Sequence, residues 1–291
     1  MLERAVKLMR RLGLRHLRTG ISWADYLRPN GERWYDRMMA ALSEFDVLLS
    51  VWHTPPSLSE RNSCASPPRR LLDYADFIDL LITKYRHQFS HLELWNEPNN
   101  RLKWDFIRCD PEWQKFGEMI GCAAYWCQQR GVPTVLGGMI PVDHHWLRLM
   151  GQYGVLPYID VVAIHGFPGM WWDEHPNWDW LRDWAGWPAK IDYIKGHAQG
   201  RPIWITETGV ATWDLALKRV AKEELQVQCL EEAAEAPAER TYWYSLIDLD
   251  PDRTAIEGFH VDENEYHLGL STHTGELKPA FHHLHRLLEV G

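Results

Sequence analysis

The sequence predicts an α/β protein of the (β/α)8 TIM barrel class, built as a single domain over residues 1–291 and starting at its first helix rather than its first strand. Three observations predict this. Helical patterns and apolar runs alternate almost without interruption, which is the signature of an α/β fold. The runs are apolar throughout, as strands are when a parallel sheet is covered by helices on its outer face. The length, 291 residues, fits one barrel of about 250 residues with modest loops.

The elements follow in order. Leu2, Ala5, Val6, Met9 and Leu12 recur at helical spacing, with Gly13 as a C-cap, and LRHLRTGIS (14–22) then reads as a strand. Residues 38–45 are helical before the strand DVLLSVW (46–52), and 71–85 before HLELWNE (91–97). Helix 112–129 precedes TVLGG (134–138), and helix 144–153 precedes IDVVAIHGF (159–167). Helix 189–197 precedes PIWITE (202–207), helix 219–234 precedes RTYWYSLID (240–248), and 278–290 is a final helix. A doubly wound sheet would want an early glycine-rich phosphate turn, and the sequence has none.

A net charge of −9 argues against nucleic acid or an anionic membrane surface as a partner. Five cysteines without a Cys-x-x-Cys pair argue against a disulfide framework or zinc site, and Cys122 and Cys127 read as small apolar helix residues. Met1–Arg18 has no unbroken apolar stretch, so a reducing, cytoplasmic setting is expected.

Tryptophan is abundant, with 17 residues, and it is costly to expose without purpose. Trp34, Trp113 and Trp126 fall at helical spacing and are expected in the core. The stretch PGMWWDEHPNWDWLRDWAGW (168–187) interleaves six Trp with Asp, Asn, Pro and Gly, which no core helix does. Indoles stack on the apolar faces of sugar rings while polar neighbours take the hydroxyls. The segment is therefore expected over the barrel mouth, with Trp171 and Trp172 as sugar platforms.

In a (β/α)8 barrel, side chains at the C-terminal strand ends converge on the active site. Those ends offer Arg18, Trp23, Trp52, His53, Asn96, Glu97, His165, Glu207, Trp243 and Asp248. Glu97 and Glu207 would face each other across the mouth, the pair that glycoside hydrolysis requires. Arg18 would keep Glu207 ionised. Glu97, against Trp95 or Trp243 and near a second negative charge, is expected to have its pKa raised.

The motifs WNEPN and ITETG, together with SVWHTPP and IHGFP, resemble the signature strands of clan A glycoside hydrolases, nearest in look to family 39 (β-xylosidase-like) with family 5 as neighbour. The resemblance covers nearly the whole chain. It implies a retaining β-glycosidase without metal or cofactor, with Glu97 as acid/base and Glu207 as nucleophile. It also implies that Arg18 orients Glu207, Asn96 binds the hydroxyl next to the anomeric carbon, His53 and His165 bind the reacting sugar, and Trp243 forms its floor. One position departs: where many clan members carry His-x-Tyr, this sequence reads His165-Gly166-Phe167, without the phenol that would bond the nucleophile. Clan members also open with a strand before the first helix. The first-strand position between 240–248 and 14–22 is therefore expected to be empty, or filled by an upstream segment or a neighbouring chain.

Other features have plainer readings. His282, His283 and His285 form a polar helix face, and Asp143 caps a helix rather than joining His144 and His145 at a metal. Glu93 points into the lower barrel and needs a cation such as Arg18, while Glu263 and Glu265 are expected to be solvated. A catalytically weakened, glycan-binding barrel is the rival function, favoured by Phe167. A metal-dependent hydrolase is disfavoured for want of a carboxylate or histidine cluster at the strand ends.

Overall fold

In the computed structural model, which describes residues 1–168, 185–213, 219–253 and 262–290, seven parallel strands form one sheet in the order β1-β2-β3-β4-β5-β6-β7. The strands are β1 (His16–Ser22), β2 (Asp46–Trp52), β3 (His91–Leu94), β4 (Thr134–Met139), β5 (Val161–Gly166), β6 (Ile203–Thr208) and β7 (Thr241–Trp243). Helices α1 (Leu2–Leu12), α2 (Trp23–Tyr26), α3 (Gly31–Leu42), α4 (Leu72–Tyr85) and α5 (Phe106–Cys109) alternate with them. They are followed by α6 (Gln114–Gln129), α7 (His144–Gln152), α8 (Gly186–Lys195), α9 (Arg219–Ala234) and α10 (Pro279–Val290). The result is a nearly closed barrel. Among the described residues β1 pairs only with β2 and β7 only with β6, so the position between them holds no strand. Across this gap Asp46 receives His16 Nδ1 at 2.8 Å and Arg240 Nη1 at 3.4 Å, which ties the two edges at the lower end.

Strand alternation builds the interior. Leu48, Val135, Val161, Ala163, Trp204 and Tyr242 fill the barrel below the mouth, and the opposite parity of each strand packs against the helices. Helix α1 ends as its sequence predicts. Gly13 at φ 70° donates to Arg10 O, and Leu14 N donates to Met9 O, the paired bonds that close a helix through a left-handed glycine. Asp143 accepts from His145 N and Trp146 N as the α7 cap, while His283 pairs with Glu231 and His285 with Glu289 on the outer helices.

Three tryptophan expectations divide. Trp113 packs with Phe106, Phe116 and Trp146, but Trp34 and Trp126 are exposed, because helical spacing alone does not say which face meets the sheet. Trp126 instead uses its indole N–H on Asp79. All five cysteines are free. No helix among the described residues is long and apolar enough to cross a membrane.

Above β6 and β7 the loops are pinned by one buried cation. Lys278, 1 % exposed, donates to Asp248 Oδ1 at 2.7 Å, Thr212 Oγ1 at 3.0 Å and His267 O at 3.1 Å. Asp248 Oδ1 in turn accepts from Gly269 N at 2.7 Å. Breaking such a pair strands a buried carboxylate, so Lys278→Met is expected to cost about 3–5 kcal/mol in urea unfolding. A loss below about 1 kcal/mol would mean the pair carries little of the local stability.

Candidate active site

The stretch Leu92–Asn100 does two things at once. Glu93 keeps the inward parity of β3 and is fully buried. The strand then stops at Leu94 rather than running to residue 97, because Trp95 adopts φ 75° and Glu97 φ 47°. A bulky residue at positive φ is unfavourable and persists only where its surroundings fix it. Here Trp95 swings outward against Tyr74 and Trp104, with its indole N–H on Lys103 O, and this turns both Asn96 and Glu97 toward the mouth. An unbroken strand would have presented only one of them.

A second irregularity serves β6. Ile164 pairs with Ile205, but His165 pairs with Glu207, so β6 carries an extra residue. The bulge lets the adjacent Thr206 and Glu207 both reach the site. On β4, Gly137 and Gly138 also have positive φ, and a side chain at Gly138 would come within 2.2 Å of His165 Nε2 and 2.9 Å of Glu93 Oε1. That close approach requires glycine.

Arg18 is the hub. Its guanidinium donates Nε to Glu93 Oε2 at 2.5 Å, Nη1 to Glu207 Oε1, and Nη2 to Asn96 Oδ1 at 2.5 Å and Ser50 Oγ at 3.4 Å. Burial works against the Arg18 charge, but Glu93 and Glu207 outweigh it and push its pKa further up. His165, fully buried, sets Nδ1 3.1 Å from Glu97 Oε1 and 3.6 Å from Glu207 Oε2. Ligand atoms of Glu97, His165 and Glu207 all lie within 4.8 Å of one another. The strand ends do therefore carry a carboxylate and histidine cluster, contrary to the sequence expectation. These three are the residues that could hold a cation, in competition with Arg18 for Glu207.

The electrostatics of Glu97 also correct the sequence reading. Burial raises its carboxyl pKa, but the His165 hydrogen bond and charge, Lys103, and Asn100 Nδ2 at 3.1 Å outweigh burial and hold it below the ordinary value. The indole of Trp95 is turned away, and Trp243 lies elsewhere, so neither supplies the apolar wall that was expected.

Trp243 itself does not form a floor. Its ring packs outward with Leu12, Leu230, Leu270, Ala280 and Phe281, because alternation along β7 sends Tyr242 inward and residue 243 out. The next inward residue is Tyr244, which meets Phe167 edge-on at 6.3 Å between ring centres. Its phenol is pushed far up by burial, then by the charges of Glu207, Glu265 and Glu97, so it stays an O–H at the mouth near the position Phe167 leaves without one. Inward parity from Tyr242 was the signal that could have found it.

Trp52 keeps the inward parity of Ser50, and its ring lies over Gly20, where a Cβ would approach it to 1.8 Å. His53 follows at φ 67°, buried and edge-on to Trp52 at 5.7 Å. Trp171 and Trp172 lie outside the described residues. The last Trp of that stretch, Trp187, lies in the first turn of α8 and is buried in the core rather than over the mouth.

Glu265 is the largest surprise. It is half-buried in a short turn of helix, Glu263–Tyr266, and not merely solvated. Burial, then the charges of Glu97, Asp262 and Glu207, raise its pKa to about 7, with Lys103 opposing. The folded carboxyl therefore holds its proton to higher pH than an ordinary glutamate, at 4.5, would, and its cost to stability grows as pH rises between the two values. The full effect, about 3 kcal/mol, applies above pH 7. Glu265→Gln is expected to stabilise the protein at pH 8 and to change little at pH 4. A thermal unfolding series across that range checks this, and equal shifts at both ends would contradict it.

No family model matches the sequence, and no curated protein matches it. Solved structures do resemble it. An exo-β-1,4-mannosidase from Opitutaceae bacterium strain TAV5 aligns over 99 % of this chain and 55 % of its own with a TM-score of 0.71 at 18 % identity. A GH5_18 protein from Bifidobacterium longum subsp. infantis aligns over 99 % and 73 % with 0.67 at 16 %. A GH39 β-xylosidase from Caulobacter crescentus aligns over 98 % and 66 % with 0.67 at 14 %. The chain spans roughly half to three quarters of the length of these structures. The chain shares the barrel fold of these structures.

Proposed function

We propose that the protein is a retaining β-glycosidase that cleaves O-glycosidic bonds of an oligo- or polysaccharide by double displacement. The observation that supports this most is the carboxylate pair: oxygens of Glu97 and Glu207 lie within 4.8 Å. Carboxyl groups about 5–5.5 Å apart suit a nucleophile and an acid/base, whereas about 6.5–9.5 Å leaves room for an inverting water. Glu207, with one oxygen held by Arg18, attacks the anomeric carbon. Glu97 protonates the leaving oxygen as that bond breaks, then takes a proton from the water that releases the sugar. Asn96, fixed by Arg18, faces the sugar, and Trp52 and Tyr244 offer aromatic surfaces beside it. The β configuration of the substrate rests on the names of the neighbours, a β-1,4-mannosidase and a β-xylosidase among them.

A glycan-binding barrel is the second reading, and one observation favours it: Glu97 is held below the usual carboxylate range rather than raised. A panel of aryl β-glycosides with activated leaving groups separates the two. Phenol release from at least one member is expected. Glycan binding with no release from any member would support the binding protein instead.

A further inference from the structure

Two hydrogen bonds beneath the carboxylate pair have no role in the reaction outlined above. His165 Nε2 lies 3.0 Å from Thr206 Oγ1, and Thr206 Oγ1 lies 3.3 Å from Glu93 Oε1. Glu93 is fully buried and accepts on both oxygens, from Arg18 Nε at Oε2 and from the Thr206 hydroxyl at Oε1. The Thr206 hydroxyl has one hydrogen, and it points to this carboxylate. Thr206 Oγ1 must then accept from the imidazole, which places a hydrogen on Nε2.

We infer that Glu93, acting through Thr206, fixes His165 in the tautomer with hydrogen on Nε2, so that Nδ1 faces Glu97 and shares with it the proton delivered to the leaving group. This rests on the glycosidase reading. Glu93 and Thr206 are positioning residues. One proton lies between Nδ1 and Glu97 Oε1, 3.1 Å apart. It passes through Glu97 to the leaving oxygen as the C–O bond breaks, which leaves Glu97 as a carboxylate and His165 neutral. Water attacking the glycosyl-enzyme returns one proton to the pair, while its oxygen bonds the anomeric carbon and Glu207 departs as a carboxylate. The balance closes with no other reactant.

The arrangement also reconciles the acid role with the depressed Glu97 carboxyl. A carboxyl that loses its proton readily can still serve as acid when a neighbouring nitrogen keeps that proton within reach. The groups facing this pair are Glu207 from β6, Glu93 and Arg18 beneath, Asn100 and Lys103 from the loop after β3, and Tyr244 and Glu265 from the far side.

The test is the nitrogen NMR signature of the His165 ring in the intact protein, which reports which nitrogen carries the hydrogen. The neutral ring is expected to carry its hydrogen on Nε2. Thr206→Val should spread the neutral form over both nitrogens, and Thr206→Ser should restore the wild-type ring. In turnover, Thr206→Val should slow substrates with poor leaving groups about 10-fold more than activated ones. A neutral wild-type ring protonated on Nδ1, or a folded Thr206→Val protein with an unchanged ring, would overturn the inference. If Thr206→Val does not fold, the wild-type ring signature decides alone. Failure of the glycosidase reading is distinguishable, because the ring measurement needs no substrate.

Discussion

Glu207→Ala is expected to lower turnover by about 10⁴-fold or more while the protein stays folded. Loss of a nucleophile removes the covalent route, and comparable losses accompany deletion of single members of catalytic groups that act as a unit. The fold should survive because Arg18 is not orphaned: it keeps Glu93 and Asn96 when Glu207 is removed. One buried carboxylate then balances one guanidinium, a neutral pair in place of a net negative trio. Unfolding in urea and turnover of the best aryl glycoside are the two measurements. Retained turnover would remove Glu207 from the mechanism, and loss of folding would make it a structural residue.

Glu97→Gln should lower turnover by about 10²–10⁴-fold on substrates with poor leaving groups and far less on activated aryl glycosides. General acid help matters in proportion to the basicity of the departing oxygen, and an activated phenolate leaves without it. The amide is nearly isosteric and keeps Asn100 within reach, so the geometry of the mouth should persist. Deglycosylation also needs the base, so the activated substrate should become limited by release of the glycosyl-enzyme and give a burst of phenol. Equal losses on both substrate types would show that Glu97 is not the acid.

The strands were legible because barrel strands buried on both faces are written as continuous apolar runs, from DVLLSVW (46–52) to PIWITE (202–207). Among the described residues no strand lies between β7 and β1, in line with the expectation from the sequence. Glu97, Glu207, Asn96 and His165 converge because each sits at or just beyond a strand end, and Arg18 reaches them from within β1. What failed was orientation wherever the backbone departs from simple alternation. Positive φ at Trp95 and Glu97 moved one indole out and two polar side chains in, and neither Trp nor Glu announces a positive φ as a glycine does. The β6 bulge brought Thr206 beside Glu207 with no turn residue to announce it. At β7 the resemblance pointed to Trp243, although alternation from Tyr242 sends residue 243 outward and Tyr244 inward. Glu265 was missed because its neighbours are distant in sequence, and only the folded loop brings its charge near Glu97 and Glu207. The same holds for Glu97, whose depressed pKa comes from His165, 68 positions away.

The central claim is double displacement between two carboxylates, and the configuration of the first-formed sugar tests it most directly. Proton NMR of the reaction with an aryl β-glycoside, recorded before mutarotation proceeds, distinguishes the two anomers. Two displacements at one carbon restore the starting configuration, so the β-anomer should accumulate first and the α-anomer only later by equilibration. An α-anomer appearing first would mean a single displacement by water, and Glu207 would be a base rather than a nucleophile.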